Sequence, residues 1–326
     1  MLRKAALFAA AVAFFSTLSG CGIMVVKVPL YRETEILQER VIEGAGRDKI
    51  LLIDVSGVIT EKKRSLNRWT DGTSQLEDMR ETLRKAAGDP AVKALLLRIS
   101  SPGGGVTATD ILYHEIMKFK EKRNIPVTAC FMDVAASGGY YLAMAADQIV
   151  AHPTSITGSI GVIAMKFNVQ GLMDRIGIEE ESVKSGNMKD IWSPFRPSTA
   201  EERAVMQVII NSYHRKFIDI IEKGRPSMTK KDIEAASDGR IFTAAQALEK
   251  KLIDRVGYLD DAVTSLKSTL GLSEAQVVAY YRPGDFKETI YSGMTPAQPK
   301  LLELLSQEGL GIVAPPGINF MYLWLP

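Results

Sequence analysis

The stretch VKALLLRISSPGGG, residues 92–105, is an apolar run that ends at a proline and three glycines. A short apolar run closed by turn residues is typical of a strand that is buried on both faces of a sheet. Residues 111–119 then have helical periodicity, and residues 127–132 form the next strand-like run. Strand, helix and strand in this order predict parallel strands joined by a helical crossover.

The same alternation continues on both sides of this stretch. Further strand-like runs lie at 49–55, 148–151, 161–165 and 180–183, and further helical patterns at 76–87 and 138–146. We therefore predict an α/β fold with a mostly parallel sheet flanked by helices. Beyond residue 197 helices dominate. Ser198 with Glu201 predicts a capping box for a helix that reaches about Glu222, and Thr243 with Gln246 predicts another that reaches Lys251.

Composition divides the chain into five segments of different character. The predicted segments are a leader (1–20), a tether (21–47), an α/β core that holds the candidate site motifs (48–197), a helical part of the same domain (198–272) and a tail broken by Pro and Gly (273–326). The tail ends in an apolar run, residues 320–325. We expect this run to dock on its own protein or on a neighbouring subunit, with a self-inhibitory plug as a further hypothesis.

Charge and composition exclude several classes of function. The 326 residues carry 40 Lys and Arg against 38 Asp and Glu, so the net charge is +2. This balance lacks the excess of positive charge that nucleic acids select, and we predict no nucleic-acid partner. Two cysteines and three scattered histidines provide neither a disulfide framework nor the common zinc sites.

The N-terminus has the features of an export signal. Arg3 and Lys4 precede an apolar stretch, residues 5–18, that is too short for a comfortable membrane span. The sequence Leu-Ser-Gly-Cys that ends at Cys21 resembles the lipobox of bacterial lipoproteins, in which the cysteine is lipidated. An uncleaved N-terminal anchor is the alternative. Both readings predict an exported protein held at a bacterial membrane, with its folded domain on the extracytoplasmic side.

A candidate nucleophile lies between a predicted strand and a predicted helix. Ser137 is flanked there by small residues, so its hydroxyl would stand exposed on a sharp turn. Gly138 and the glycines at 103–105 can offer backbone N–H groups to an oxyanion. Serine beside glycine at such a turn is also a common helix N-cap, and the motif alone leaves both readings open.

A nucleophilic serine requires a base. His114, His152 and His214 lie in no recognisable triad setting. A lysine held neutral by burial is the other solution, since burial lowers a lysine pKa by several units from about 10.4. Lys189 is the candidate if apolar neighbours such as Trp192 and Pro194 desolvate it; a solvated lysine is the alternative.

Four motifs lie in order along the chain: RISSPGGG at 98–105, AASGGYY at 135–141, TGSIGV at 157–162 and SGNMKD at 185–190. Together they resemble the signal peptide peptidase A family of serine–lysine proteases, over about residues 50–272. The resemblance implies a fold of the Clp-protease and crotonase type. It also implies that Ser137 is the nucleophile, Lys189 the general base and Ser159 the hydroxyl that orients the lysine amine. The backbone N–H groups of Gly104 and Gly138 would form the oxyanion hole, and neither a metal nor a cofactor is required.

The resemblance further implies an assembly and a substrate. The chain has one serine motif and one lysine motif, as in the short, single-repeat branch of the family. The resemblance to that branch implies a homo-oligomeric ring, an octamer, with active sites shared between subunits. The expected activity is endopeptidase cleavage of released signal peptides and other apolar peptides. Family members commonly have a transmembrane helix, whereas this chain has a candidate lipid site at Cys21. The alternatives are a crotonase-type acyl-CoA enzyme and a non-catalytic lipoprotein scaffold.

Overall fold

The computed structural model describes residues 37–62, 65–67, 70–71, 73–282 and 320–325. The predicted leader, Cys21 and residues 283–319 of the predicted tail lie outside the described residues. The described strands are β1 Gln38–Gly44, β2 Lys49–Ser56, β3 Ser65–Asn67, β4 Thr70–Asp71, β5 Val92–Ser101, β6 Gly103–Gly105, β7 Val127–Ala136, β8 Gln148–Ala151, β9 Ile156–Gly158, β10 Ile163–Ala164, β11 Ile241–Thr243, β12 Arg255–Val256, β13 Gln276–Tyr281 and β14 Phe320–Leu323. The described helices are α1 Gln75–Ala87, α2 Val106–Arg123, α3 Gly138–Ala143, α4 Gln170–Ile176, α5 Ala200–Gly224, α6 Lys230–Ala236, α7 Ala244–Glu249 and α8 Leu259–Leu270.

A mostly parallel sheet carries the core. Its strand order is β1-β13-β2-β5-β7-β8-β12, and β9 pairs with both β7 and β11. The strands from β13 to β12 are all parallel, with Leu51 opposite Leu95 and Leu97 opposite Ala129. Apolar side chains of β5 and β7 are buried on both faces, as parallel strands covered by helices require. The predicted α/β class with a mostly parallel sheet is confirmed.

Capping boxes fix where the helices begin. Ser74 and Glu77 cap α1, and Thr243 and Gln246 cap α7 at the predicted position, although α7 ends at Glu249 rather than Lys251. The box predicted from Ser198 and Glu201 is wrong by one residue, because Thr199 and Glu202 cap α5. The Ser198 hydroxyl instead accepts a hydrogen bond from Lys166 Nζ at 2.9 Å.

The sheet extends beyond the segment predicted as the protease domain, residues 48–272. Strand β1 lies in the predicted tether and β13 in the predicted tail, and the two pair antiparallel beside β2. Residues 180–183, read as a strand from their sequence, form none and are exposed. An extended segment becomes a strand only where a partner accepts its backbone hydrogen bonds, and this segment has no ladder partner among the described residues.

A second, three-stranded sheet lies at the ends of the core strands. Its order is β10-β14-β6, and both pairings are antiparallel. The apolar end of the chain therefore lies against its own protein, between the glycine strand β6 and the short strand β10. Among the described residues, no helix has the length and apolar character needed to span a bilayer.

Candidate active site

Ser137 lies on the turn between β7 and α3 in a strained backbone conformation. Its φ is 51° and its ψ is −113°, values that a residue with a side chain rarely adopts. The residue is 1% exposed, and its Oγ is buried without a hydrogen-bond partner. Ser137 occupies the N-cap position of α3, as the alternative reading expected, but its hydroxyl makes no capping hydrogen bond. A strained backbone that presents an unpartnered hydroxyl is typical of a functional residue.

Small neighbours make this turn possible. A Cβ on Gly138 would lie 2.8 Å from Thr109 Oγ1, and one on Gly139 would lie 2.8 Å from the Ser101 carbonyl oxygen. The start of α3 therefore packs directly on the ends of β5 and α2. Glycines are required at both positions because the approach leaves no room for a side chain.

The predicted oxyanion donors lie next to each other. The Ile59 N–H donates to Gly103 O at 2.8 Å, and the Gly105 N–H donates to Ile59 O at 2.9 Å. The N–H of Gly104, which lies between them, therefore points to the opposite edge of β6. A Cβ on Gly103 would lie 2.6 Å from the Gly138 nitrogen, so β6 contacts the first residue of α3. The structure brings Gly104, Gly138 and Ser137 together.

Ser159 adjoins this group through the backbone. The Ser137 N–H donates to the carbonyl of Gly158 at 2.8 Å, which places the next residue, Ser159, beside the nucleophile candidate. Ser159 also has a positive φ, 48°, and its N–H donates to Arg240 O at 2.7 Å. The residue is buried. Strand β9 and the turn before β11 thus hold Ser159 in place.

Lys189 is not brought to the serine within the chain. It lies on an exposed irregular segment after α4, and Ser137 Oγ has no hydrogen-bond partner. The expected apolar cover by Trp192 and Pro194 is absent, because Pro194 is exposed and the Trp192 indole N–H points to the Met165 carbonyl. The single chain therefore leaves the predicted base in solvent.

An ionic network fixes the segment that carries Lys189. Arg196 donates to both carboxylate oxygens of Asp190, at 2.7 and 2.8 Å, and to both carboxylate oxygens of Glu202, at 3.0 Å for Oε2. Lys184 also pairs with Asp190, at 2.6 Å. The hydrogen bonds from Arg196 hold the pKa of Asp190 and that of Glu202 below their usual ranges, with Lys184 adding to the effect on Asp190. The network ties the residue after Lys189 to the start of α5.

The histidines stay outside the site. His152 contacts Thr154 and stacks edge-on with Tyr258, and none of the three hydrogen-bonds the Ser137 hydroxyl. Cys130 is buried in the core, where burial raises the pKa of its thiol to about 12, so it is no nucleophile. Among the described residues, no cluster of His, Cys, Asp or Glu is suited to a metal ion.

Sequence reasoning missed an aromatic pocket beside Ser137. Tyr322 of β14 is fully buried, stacks on Tyr141 at a centroid distance of 5.2 Å and contacts Phe217 at 4.9 Å. Its hydroxyl donates to the Tyr213 carbonyl at 2.8 Å. The signal was present in the sequence, since aromatic residues occupy every second position of 320–324, as in a strand with one buried face.

A buried hydroxyl on a strained turn, with glycine N–H groups beside it, defines a serine-type hydrolase. Residues 119–273 match the model of peptidase family S49. A putative signal peptide peptidase SppA of Enterococcus faecium is 37% identical over 250 residues, which cover 77% of this chain and 72% of the relative. The chain belongs to peptidase family S49, in the SppA group, and is a serine-type peptidase that acts on peptides.

Two further relatives agree with this assignment. A putative protease of Synechocystis sp. is 36% identical over 231 residues, which cover 71% of this chain and 78% of the relative. The chloroplastic serine protease SPPA of Arabidopsis thaliana is 34% identical over 254 residues, which cover 76% of this chain and 37% of that protein. The match to the longer plant protein is thus to a part of it.

Proposed function

We propose that the protein is a membrane-tethered, extracytoplasmic endopeptidase with Ser137 as nucleophile and Lys189 of a neighbouring copy as general base. The observation that carries the proposal is the strained Ser137, whose buried Oγ has no partner. The Ser137 hydroxyl lacks a hydrogen-bond partner in the single chain, and a base that binds beside it would supply one. The proposed substrates are apolar peptides, including released signal peptides.

The proposed reaction runs through an acyl-enzyme. Lys189 takes the Ser137 proton as Oγ attacks the peptide carbonyl carbon, and Ser159 orients the lysine amine. The C–N bond then breaks, and the proton passes to the leaving amine. Water hydrolyses the ester and restores the serine. The N–H groups of Gly104 and Gly138 stabilise the oxyanion, and the loss of one such donor costs about 3 kcal/mol.

The surface around Lys189 supports a site shared between copies. Helix α4 has no buried residue, and Val183 is 99% exposed. Of the large hydrophobic residues exposed in the described part of the chain, half lie in this region: Phe167, Leu172, Ile176, Ile178, Val183 and Phe195. An apolar surface of this kind marks a protein interface. We propose that it packs on a neighbouring copy in a closed homo-oligomeric ring, of eight subunits, and delivers Lys189 there.

The location and substrate rest on the sequence and on a relative. The lipobox-like sequence at Cys21 supports lipid attachment to a bacterial membrane. The Enterococcus relative is named a putative signal peptide peptidase. A peptidase anchored on the extracytoplasmic side meets apolar peptides that are released at the membrane.

The nucleophile is tested with the full-length chain. Ser137→Ala is expected to abolish labelling by a fluorophosphonate probe and to lower cleavage of an apolar peptide by about 10⁴-fold or more. Ser100→Ala is the matched control, because Ser100 is also buried with an unpartnered hydroxyl. It should label and cleave like the wild type. Wild-type cleavage by Ser137→Ala would refute the assignment.

The anchor is tested separately. Cells fed a labelled fatty acid should incorporate it into the wild-type protein but not into Cys21→Ser. The wild type should also partition into the detergent phase of a phase-separating detergent, because its acyl chains prefer an apolar environment. Equal labelling of both proteins would contradict lipid attachment at Cys21.

A further inference from the structure

Ser101 ends strand β5, directly before the glycine strand β6 that carries one predicted oxyanion donor. The residue is 0% exposed, and the proposed reaction does not use its hydroxyl. The Ser101 Oγ donates to the Gly57 carbonyl at 2.7 Å and accepts the Gly103 N–H at 3.1 Å. One buried hydroxyl therefore ties the residue after β2 to the first residue of β6.

The backbone of Gly103 depends on this hydroxyl. Its φ is 101°, in the region that glycine adopts far more readily than other residues, and the preceding Pro102 has no N–H to share in the turn. The Gly103 N–H is buried and needs an acceptor, which the Ser101 Oγ supplies. The direction in which β6 leaves the turn, and with it the Gly104 N–H, thus depends on Ser101.

The segment that follows β2 supports β6 along one edge. The Ile59 N–H donates to the Gly103 carbonyl at 2.8 Å, and a Cβ on Gly104 would lie 2.0 Å from the Ile59 oxygen. The two backbones are therefore in direct contact. Gly57, two residues before Ile59, accepts the Ser101 hydroxyl. The same hydroxyl thus also fixes the segment against which Gly104 rests.

The second predicted donor packs on the same residue. A Cβ on Gly139 would lie 2.8 Å from the Ser101 carbonyl oxygen and 3.5 Å from the Ser101 Cβ. A Cβ on Gly103 would lie 2.6 Å from the Gly138 nitrogen. The start of α3 therefore packs on Ser101 and on the turn that its hydroxyl holds. Both segments that carry a predicted donor, β6 and the start of α3, meet at Ser101.

We propose that Ser101 is a positioning residue of the oxyanion hole, whose hydroxyl fixes the spacing and direction of the Gly104 and Gly138 N–H groups. The inference rests on the proposed function, in which these groups stabilise the oxyanion formed from the substrate carbonyl. The Ser101 hydroxyl makes its hydrogen bonds within the turn and takes no part in proton transfer. Its effect is therefore felt in the transition state rather than in peptide binding.

The expected effect is smaller than the loss of a donor. Removal of one oxyanion donor lowers kcat by about 10²- to 10³-fold, and a misplacement of about 1 Å costs up to about 10²-fold. Without the Ser101 hydroxyl both N–H groups remain, but their spacing is no longer fixed. We therefore expect kcat to fall by about ten- to hundredfold, with KM within about threefold.

The first test isolates the hydroxyl in the full-length protein. Ser101→Thr keeps the hydroxyl, and Ser101→Val has nearly the same shape without it. The kcat for an apolar peptide should be about tenfold or more higher in Ser101→Thr than in Ser101→Val. Ser100→Ala, at the buried neighbour whose hydroxyl has no partner, is the control and should keep the wild-type kcat. Equal kcat in the two Ser101 variants overturns the inference. If the added methyl group prevents folding of both, Ser101→Ala against the wild type decides.

The second test separates an effect on the oxyanion from a general loss of structure. A peptide aldehyde adds the Ser137 Oγ–H across its C=O bond, and the adduct oxygen occupies the oxyanion site, whereas the peptide alcohol of the same sequence forms no adduct. Ser101→Val should raise the inhibition constant of the aldehyde by about the factor by which it lowers kcat/KM, and that of the alcohol by less than about threefold. Equal weakening of both inhibitors would show a general structural role and overturn the inference.

These tests also separate the inference from the proposed function. Ser137→Ala removes the nucleophile and should abolish both peptide turnover and the aldehyde adduct. Wild-type turnover by Ser137→Ala would overturn the proposed function itself. An inactive Ser137→Ala together with wild-type kcat and wild-type aldehyde inhibition in Ser101→Ala and Ser101→Val would overturn the role of Ser101 alone.

Discussion

The two halves of the proposed site differ in how far one chain completes them. The serine half consists of Ser137, Ser159, Gly104 and Gly138. The core sheet fixes the positions of these residues, which are buried or packed against backbone atoms. The lysine half is the segment 166–199, which is mostly exposed. Ion pairs between side chains, rather than a buried apolar core, hold its conformation. The contrast supports the proposal that the lysine half packs on another copy.

Different interactions hold the two halves: close packing around the serine turn and ion pairs in the lysine segment. Close packing holds the serine turn in a strained conformation, since only a rigid surrounding keeps such a backbone in place. The lysine segment instead has a charged network of Lys184, Asp190, Arg196 and Glu202, which fixes its shape while its apolar side chains stay free for contact. The proposed site between two copies thus combines a rigid serine turn with a charged segment that leaves its apolar side chains exposed.

The largest expected effect tests whether the halves come from different chains. Ser137→Ala and Lys189→Ala proteins should each be inactive, and co-assembled mixtures should regain activity. In a 1:1 mixed ring each site draws its serine and lysine from adjacent copies, so about a quarter of the sites are intact. Peptide turnover of mixed rings, purified through two different tags, measures this. No recovery in such rings would show that both residues come from one subunit.

The next effect tests whether the exposed apolar surface of the lysine half is an interface. Leu172 is 61% exposed on α4, and Leu172→Asp would be harmless on a free surface. In an interface a buried, unpaired carboxylate is costly, so we expect loss of assembly and a fall in turnover of about tenfold or more. Light scattering with size-exclusion chromatography gives the oligomer mass. Leu248→Asp, at an exposed leucine of α7, is the matched control. Intact rings with Leu172→Asp would contradict the interface.

A smaller effect tests the ionic network. Arg196→Met should lower kcat/KM about tenfold, because Lys189 loses its fixed position. Arg203→Met, at an exposed arginine beside it, should stay near wild type. Far-UV circular dichroism shows whether the variant keeps its fold, because labelling of Ser137 would fall both on unfolding and on loss of the base. Equal kcat/KM in Arg196→Met and wild type would contradict a positioning role.

The same network gives a pH dependence of stability. Arg196 lowers the pKa of Glu202 below its usual value of 4.5. A lowered carboxyl pKa contributes stability that is present above the unfolded-state pKa and is lost as pH falls through the folded-state pKa. The Tm difference between wild type and Arg196→Met should therefore stay constant from pH 6 to about 4.5 and shrink as pH falls further. A difference that stays constant with pH would show that the ion pair is not its source.

The two halves were also unequally predictable from the sequence. Strands β2, β5 and β7 are mostly apolar, so the sequence predicted these strands and their order along the chain. Strand β1 was not predicted, because an edge strand with exposed polar side chains has the same sequence pattern as a connector. The serine turn was predicted from its small residues, but its positive φ was not, because backbone strain arises from the surrounding packing. The solvent exposure of Lys189 could not be predicted from the sequence. Neighbouring apolar residues suggested burial, but among the described residues they do not cover the lysine.

The smallest effect separates the backbone strain at Ser137, measured as stability, from the role of its hydroxyl, measured as activity. Ser137→Gly relieves the positive φ and removes the unpartnered hydroxyl, so it should raise the free energy of unfolding by about 1 kcal/mol while activity is lost. Ser137→Ala removes the hydroxyl but keeps the strain and should gain less. Lys189→Ala changes an exposed side chain and should stay within about 0.5 kcal/mol of the wild type. Urea midpoints of the three variants rank these effects. A destabilised Ser137→Gly would mean that the serine supports the fold, and a large change in Lys189→Ala would mean that the lysine half is already packed in the single chain.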